Sequence, residues 1–261
     1  MTKSDPIFTR AYWRAALGEA KNLRKLVLCA MFCALSVAVS SVSIVIGENL
    51  YIYFTCYVNV VACAVCGPVL ALIYGAAADT LNFVLFTHAG YFPGYLLSEC
   101  LGCLIYALLL YRRRVTLSRL FAAKFLVNYG VNVALGSVWS AVLFSKGYLY
   151  YMVKSLIKNT ILLPFEVVLM AAIFAMLLPA FSRAGLLGAM GESDRSRLRP
   201  GRSALPVFGA DFLLCAAAAA YFGVQNGTQR IFFPVAAAAG AVGLTLLILA
   251  AVRRVKHADA A

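Results

Sequence analysis

Between residues 23 and 252 the sequence is a succession of apolar runs, and its arginines and lysines gather at every second junction between them. A run of about twenty apolar residues matches the thickness of a bilayer core, and inside lipid a helix satisfies its own backbone hydrogen bonds. The pattern therefore predicts an all-α integral membrane protein. If every run crosses, Arg24 with Lys25, Arg112 to Arg114, Arg183 to Arg202, and Arg253 with Arg254 fall on one side. The other side keeps Lys146, Lys154 and Arg230. Basic loops stay in the cytoplasm, so both termini are expected there, in a multi-pass protein of the cell membrane.

Composition closes other classes. The 261 residues are 63% hydrophobic with formal net charge +13, and the mean hydropathy is +0.87; a soluble domain is far more polar. The positive charge marks segment ends rather than one continuous face, so it points to membrane lipid and topology, and to no nucleic acid. The first twenty residues carry Lys3, Asp5, Arg10, Arg14 and Glu19 without an apolar core, and do not read as a cleavable signal. Eight cysteines include Cys63-x-x-Cys66 and Cys100-x-x-Cys103. Both pairs sit in apolar helix candidates and read as small packing residues, so no metal site is expected.

Along the chain, residues 1–22 form a basic amphipathic approach to the membrane, and 23–181 a six-helix core. Residues 182–205 are a polar, Gly-rich, basic linker, 206–254 an appended two-helix transmembrane hairpin, and 255–261 a cytoplasmic tail. The first segment, about Leu23 to Ile46, ends at an outer turn of Gly47, Glu48 and Asn49. Ala30, Ala34 and Ala38 recur within it every four residues, a smooth stripe that lets another helix approach closely. The run from Phe54 to Cys66 is short for a span and stops at Gly67-Pro68. Asp79 and Asn82 share a helix face, and Glu99 stands near the outer end of the fourth segment.

The sixth apolar segment opens with KSLIKNTILLPFE, Lys154 to Glu166. Lys154 and Lys158 are four apart and share a helix face, with Asn159 following directly. An ionisable residue in a membrane segment suggests a functional site, and the natural client of two lysines is an anion. Snorkelling to the headgroups is the alternative for Lys154. Asn132, Trp139, Tyr91, Phe92 and the Tyr51 to Tyr57 cluster, Tyr53 among them, are further candidates to line a pocket at the outer end. Lysines suit carboxylates and aromatics suit a flat ring, a combination that fits a planar anionic vitamin. Pro164 is expected to bend this segment and free a carbonyl. Enzymatic chemistry finds no support: His88 and His257, the two histidines, lie at opposite faces, and no phosphate-binding loop is present. A secondary carrier for an organic anion remains the alternative, although no internal repeat stands out.

The run from about Arg24 to Leu178 resembles the S components, the substrate-binding subunits of energy-coupling factor (ECF) vitamin transporters, and most closely their folate-type branch. The similarity is carried by the Ala30, Ala34, Ala38 stripe, Gly67-Pro68, the run from Gly75 to Asp79, Ala89-Gly90-Tyr91-Phe92-Pro93-Gly94, Asn132 with Trp139, and Leu156-Ile157-Lys158-Asn159 with Pro164. The resemblance implies six helices that capture a vitamin at the outer face, folate or a related pterin first, with an S component for another vitamin or a modified-base precursor as a further alternative. It also implies a shared transmembrane coupling subunit and two ATPases as partners, so that ATP is used there and this chain carries no cofactor. Lys158 and Asn159 would hold the ligand, Trp139 and the Tyr91 loop would enclose its ring, and the alanine stripe would face the coupling subunit. The sequence departs from the pattern at Ser155, where an arginine is expected, with Lys154 beside it. The hairpin from Val207 to Val252 lies outside the resemblance.

Overall fold

A computed structural model describes residues 10–47, 50–86, 91–113, 115–143, 147–185, 204–225 and 229–258. Glu48 and Asn49 of the first outer turn, His88 to Gly90, Arg114, Lys146 and all but the ends of the 182–205 linker lie outside the described residues, as do the side chains of Tyr51, Arg230, Arg253 and Arg254.

Among the described residues the architecture is helical apart from one short hairpin of strands. Helix α1 (Arg10–Ala20) leads into α2 (Leu23–Ser40), whose first turn is capped by Asn22: its Oδ1 accepts from the Arg24 N–H at 3.0 Å. Strands β1 (Ser43–Gly47) and β2 (Leu50–Tyr53) pair antiparallel, with Ser43 opposite Tyr53 and a register shift between Val45 and Gly47. The first apolar segment thus ends as a helix at Ser40, not near Ile46. The cause is local, since the β-branched run Val42, Ile44, Val45, Ile46 prefers extended backbone.

Helix α3 (Thr55–Cys66) has twelve residues, about 18 Å at 1.5 Å per residue, short of a hydrocarbon core of about 30 Å. Gly67 stops it at φ +85, and a Cβ there would lie 2.8 Å from the Tyr111 ring, so both conformation and space require glycine. Pro68 then opens α4 (Pro68–Phe86), and Pro93 opens α5 (Pro93–Leu110), each at a position where the missing N–H costs nothing.

Helix α6 (Leu117–Phe125) starts on a Thr116 cap and continues as a π-helical stretch (Leu126–Leu135) into α7 (Gly136–Leu143). Helix α8 (Tyr148–Arg183) is one uninterrupted helix of 36 residues that contains Pro164. The Thr160 carbonyl lacks an N–H partner there by the covalent chemistry of proline. Finally α9 (Ala204–Gln225) and α10 (Gln229–Ala258) form the C-terminal helical pair.

Six helices among the described residues are long and apolar enough to cross a membrane, while Thr55–Cys66 and Leu205–Tyr221 are shorter apolar helices. The chain is a multi-pass membrane protein. That explains why Val27, Met31, Leu35, Val84 and Met176 are exposed: their solvent is lipid.

The residues group into two compact units, one made of those up to 115 with 173 to 185, the other of 116 to 172 with 204 to 258. The first packs Val60, Val65, Leu70, Tyr74, Leu110, Phe174 and Leu178 in its interior. Its polar centre is Asn59 on α3, 6% exposed. The Asn59 Oδ1 accepts from Ser36 Oγ of α2 at 3.3 Å and from the Tyr74 hydroxyl of α4 at 2.6 Å, and its amide donates to Glu99 of α5. Glu99 thus ties α5 to α3. Where lipid already solvates apolar side chains, such interhelical hydrogen bonds and close packing carry much of the association.

At one end of this unit Glu19 accepts from Lys25 and from the Tyr111 hydroxyl, and pairs with the Arg112 guanidinium at 3.0 Å. Burial by itself would raise the Glu19 carboxyl, but those hydrogen bonds and charges outweigh it and hold the group below the usual glutamate range. Burial, reinforced by the bond to Glu19, pushes the Tyr111 hydroxyl up. This knot pins α1 to the start of α2 and the end of α5.

Candidate functional site

The second unit has lipid-depth polarity of its own. Lys124, in the last turn of α6, is 2% exposed, and its Nζ lies 3.2 Å from Glu166 Oε2 on α8. Asn128, fully buried four residues on, donates from Nδ2 to the same carboxylate oxygen at 3.1 Å. Its Oδ1 in turn accepts from Asn132 Nδ2 at 3.4 Å. The Asn132 carbonyl accepts from Ser155 Oγ at 3.3 Å, and Asn159, 4% exposed, donates to the Ser155 carbonyl at 2.8 Å and to its Oγ at 3.2 Å. Glu166, Asn128, Asn132, Ser155 and Asn159 therefore form a ladder of hydrogen bonds between the π-helical stretch and α8. Beside it the Tyr129 hydroxyl shares a 2.7 Å hydrogen bond with Thr160 Oγ1.

Each rung follows from spacing. Lys124, Asn128 and Asn132 repeat every four residues, as do Ser155 and Asn159, so each set follows one helix face. Asn159 at the end of the ladder is fixed by two acceptors rather than free to rotate. Lys158, half-buried on the next position, lies within the electrostatic reach of both Glu166 and Lys124. A carboxylate or other anion at this level would meet a lysine and an amide whose orientation the ladder sets.

The other candidates divide between the two units. Lys154 is half-buried on α8 and Trp139 half-buried on α7, both in the same unit as Lys158, Asn159 and Asn132. Tyr53, Tyr91 and Phe92 belong to the first unit. There Tyr91 is 46% exposed with its ring edge on Phe83 at 5.0 Å, Phe92 meets Tyr95 at 5.7 Å, and Tyr53 is 51% exposed at the end of β2. Ala30, Ala34 and Ala38 are exposed on α2. Asp79 and Glu166 fall in different units. Asn82 accepts from Ser40 Oγ at 2.5 Å.

Sequence reasoning missed Lys124 and the structural part of Glu166. Lys124 follows Arg119 by five residues and passes for a cytoplasmic flank; its four-residue spacing to Asn128 and Asn132 was the available signal. Among the described residues no group of three or more His, Cys, Asp or Glu side chains could hold a metal ion.

No protein-family model matches the chain. The folate transporter FolT of Clostridium novyi (strain NT) is 32% identical over 102 residues, covering 39% of this chain and 59% of that relative. FolT of Leuconostoc mesenteroides subsp. mesenteroides is 24% identical over 153 residues, 56% of this chain and 82% of that one. Among solved structures, the crystal structure of FolT bound with folic acid superposes with a TM-score of 0.52 at 29% identity, covering 56% of this chain and 88% of that chain. The chain spans 59% of the length of the Clostridium relative.

In its helical membrane fold and in its sequence the chain is similar to these folate transporters, which supports the resemblance to an energy-coupling factor S component of the folate type.

Proposed function

We propose that this protein captures folate, or a related pterin, at the outer face of the cell membrane and delivers it inward as the substrate-specific subunit of an ATP-driven transporter. The observation that carries the reading is the pairing of Lys158 with a fixed Asn159 on α8, in a chain 29% identical to a FolT whose crystal structure holds folic acid. Lys158 and Asn159 take the anionic and polar groups of the ligand, Lys154 and Asn132 support them, and Trp139 covers the flat ring. The chain acts as a transporter subunit, not an enzyme. It uses no cofactor of its own, and two ATPase subunits reach it through a transmembrane coupling subunit that docks on Ala30, Ala34 and Ala38. Both termini face the cytoplasm in this reading.

The direct test is titration of the purified protein with folic acid, followed by calorimetry and by native mass spectrometry of the complex. Saturable binding of one folate per chain is expected. No binding of folate or any pterin, with the protein folded, would remove the substrate assignment.

A further inference from the structure

Helix α9 carries one acidic residue, Asp211, about two turns from its start in an otherwise apolar sequence. Asp211 is 4% exposed, and its Oδ2 is buried without a hydrogen-bond partner. Its neighbours on α9 are apolar anchors: Phe208 lies 5.5 Å from Phe121, and Phe212 6.1 Å from Phe165. Cys215, one turn further, donates to the Ile161 carbonyl at 3.5 Å.

Among the described residues, the elements packed around α9 carry Arg119 and Lys124 on α6, Tyr129 on the π-helical stretch, and Lys154, Lys158 and Glu166 on α8. Tyr129 of the π-helical stretch is within electrostatic reach of Asp211, and its hydroxyl is already shared with Thr160. On α6, Lys124 is held by Glu166 of α8, and Lys158 follows the ladder on α8. Helix α10 has no ionisable residue from Phe233 to Ala251. It also packs tightly on α9: a Cβ on Gly209 would lie 2.7 Å from Leu247 Cγ, and one on Gly243 2.9 Å from the Gly209 carbonyl. An ionised carboxylate in such surroundings, without a donor, carries a desolvation cost that the neutral acid avoids.

We infer that Asp211 is a proton-binding site, whose carboxyl is carried as the neutral acid at neutral pH inside the C-terminal helical pair. Its ligand is a proton taken from water and held at depth, and the site is separate from the folate reading.

The chemistry of a neutral acid in lipid supplies the test. A hydrophobic carbodiimide adds a protonated carboxyl across one C=N bond: the carboxyl oxygen bonds to carbon and the proton goes to nitrogen. An acyl shift from oxygen to the other nitrogen then leaves a stable N-acylurea, with no atom lost. The full-length protein in lipid nanodiscs, treated with dicyclohexylcarbodiimide and analysed by peptide mass spectrometry, should carry the adduct at Asp211 at pH 7. The yield should fall several-fold as pH is raised, be unchanged by sodium chloride, and vanish in Asp211→Asn. That variant should keep the thermal midpoint of the wild type, because one neutral polar group replaces another.

Absence of the adduct would overturn the assignment. Protection by sodium would replace the proton with a metal cation, and a large loss of stability in Asp211→Asn would mean the group is an ionised, paired carboxylate.

Discussion

Lys124 and Glu166 show what a single side chain does at membrane depth. With side chains 3% and 13% exposed and 3.2 Å apart, each makes the other tolerable. Removing one partner of such a pair typically costs about 3–5 kcal/mol, because the survivor is left charged and dry. Glu166→Ala should therefore lower the thermal midpoint sharply in a detergent-stability assay, and Lys124→Met combined with Glu166→Leu should recover much of the loss. A single variant as stable as the wild type would mean the pair is solvated. Lys158 is different, because its proposed role is toward ligand. Lys158→Ala should weaken folate binding at least tenfold and leave the fold intact, whereas Lys146→Ala should change little; equal, negligible effects would dismiss Lys158. Glu19 gives a pH signature. Its folded carboxyl lies below the usual value of 4.5, so its contribution to stability is complete above that value and disappears as pH falls through the lowered one. Thermal midpoints of wild type should drop in that acid window more steeply than those of Glu19→Gln.

The elements were legible where one physical signal dominated. Long apolar runs bounded by arginines announced the spans, and Gly67-Pro68 and Pro93 announced helix boundaries, since their backbone chemistry allows little else. The β1–β2 hairpin was hidden because Val42 to Ile46 suits hydrocarbon as well as a strand, and hydropathy alone cannot separate the two. The π-helical winding of Leu126–Leu135 has no sequence signature of its own, and the ladder it carries showed only as isolated asparagines. Of the candidate site, Lys158, Asn159 and Asn132 could be picked out as polar residues in apolar surroundings, but not which of their partners were structural. The stripe on α2 was readable as spacing, and its exposure in this chain leaves it open to a second helix. Ala34→Leu should leave folate titration unchanged and abolish uptake in cells, because a bulky side chain would hold the coupling subunit off. Loss of binding would show instead that the stripe supports the protein's own packing.

At the scale of the molecule, the polar groups described here are spent on holding helices together and on one lysine–amide pair. Asn59 gathers α2, α4 and α5, Glu19 gathers α1, the start of α2 and the end of α5, and Glu166 gathers α6 and the π-helical stretch. The proposed function and its alternative differ in the source of energy that drives the solute uphill. An S component draws that energy from ATP hydrolysed by its partners, whereas a secondary carrier draws it from an ion gradient. The two sources separate cleanly in cells. Radiolabelled folate uptake should disappear when the partner ATPase genes are deleted, and should survive an uncoupler for as long as cellular ATP is maintained. Uptake that persists without the ATPases and collapses with the uncoupler would make the same bundle an anion carrier, with Lys158 still at its centre.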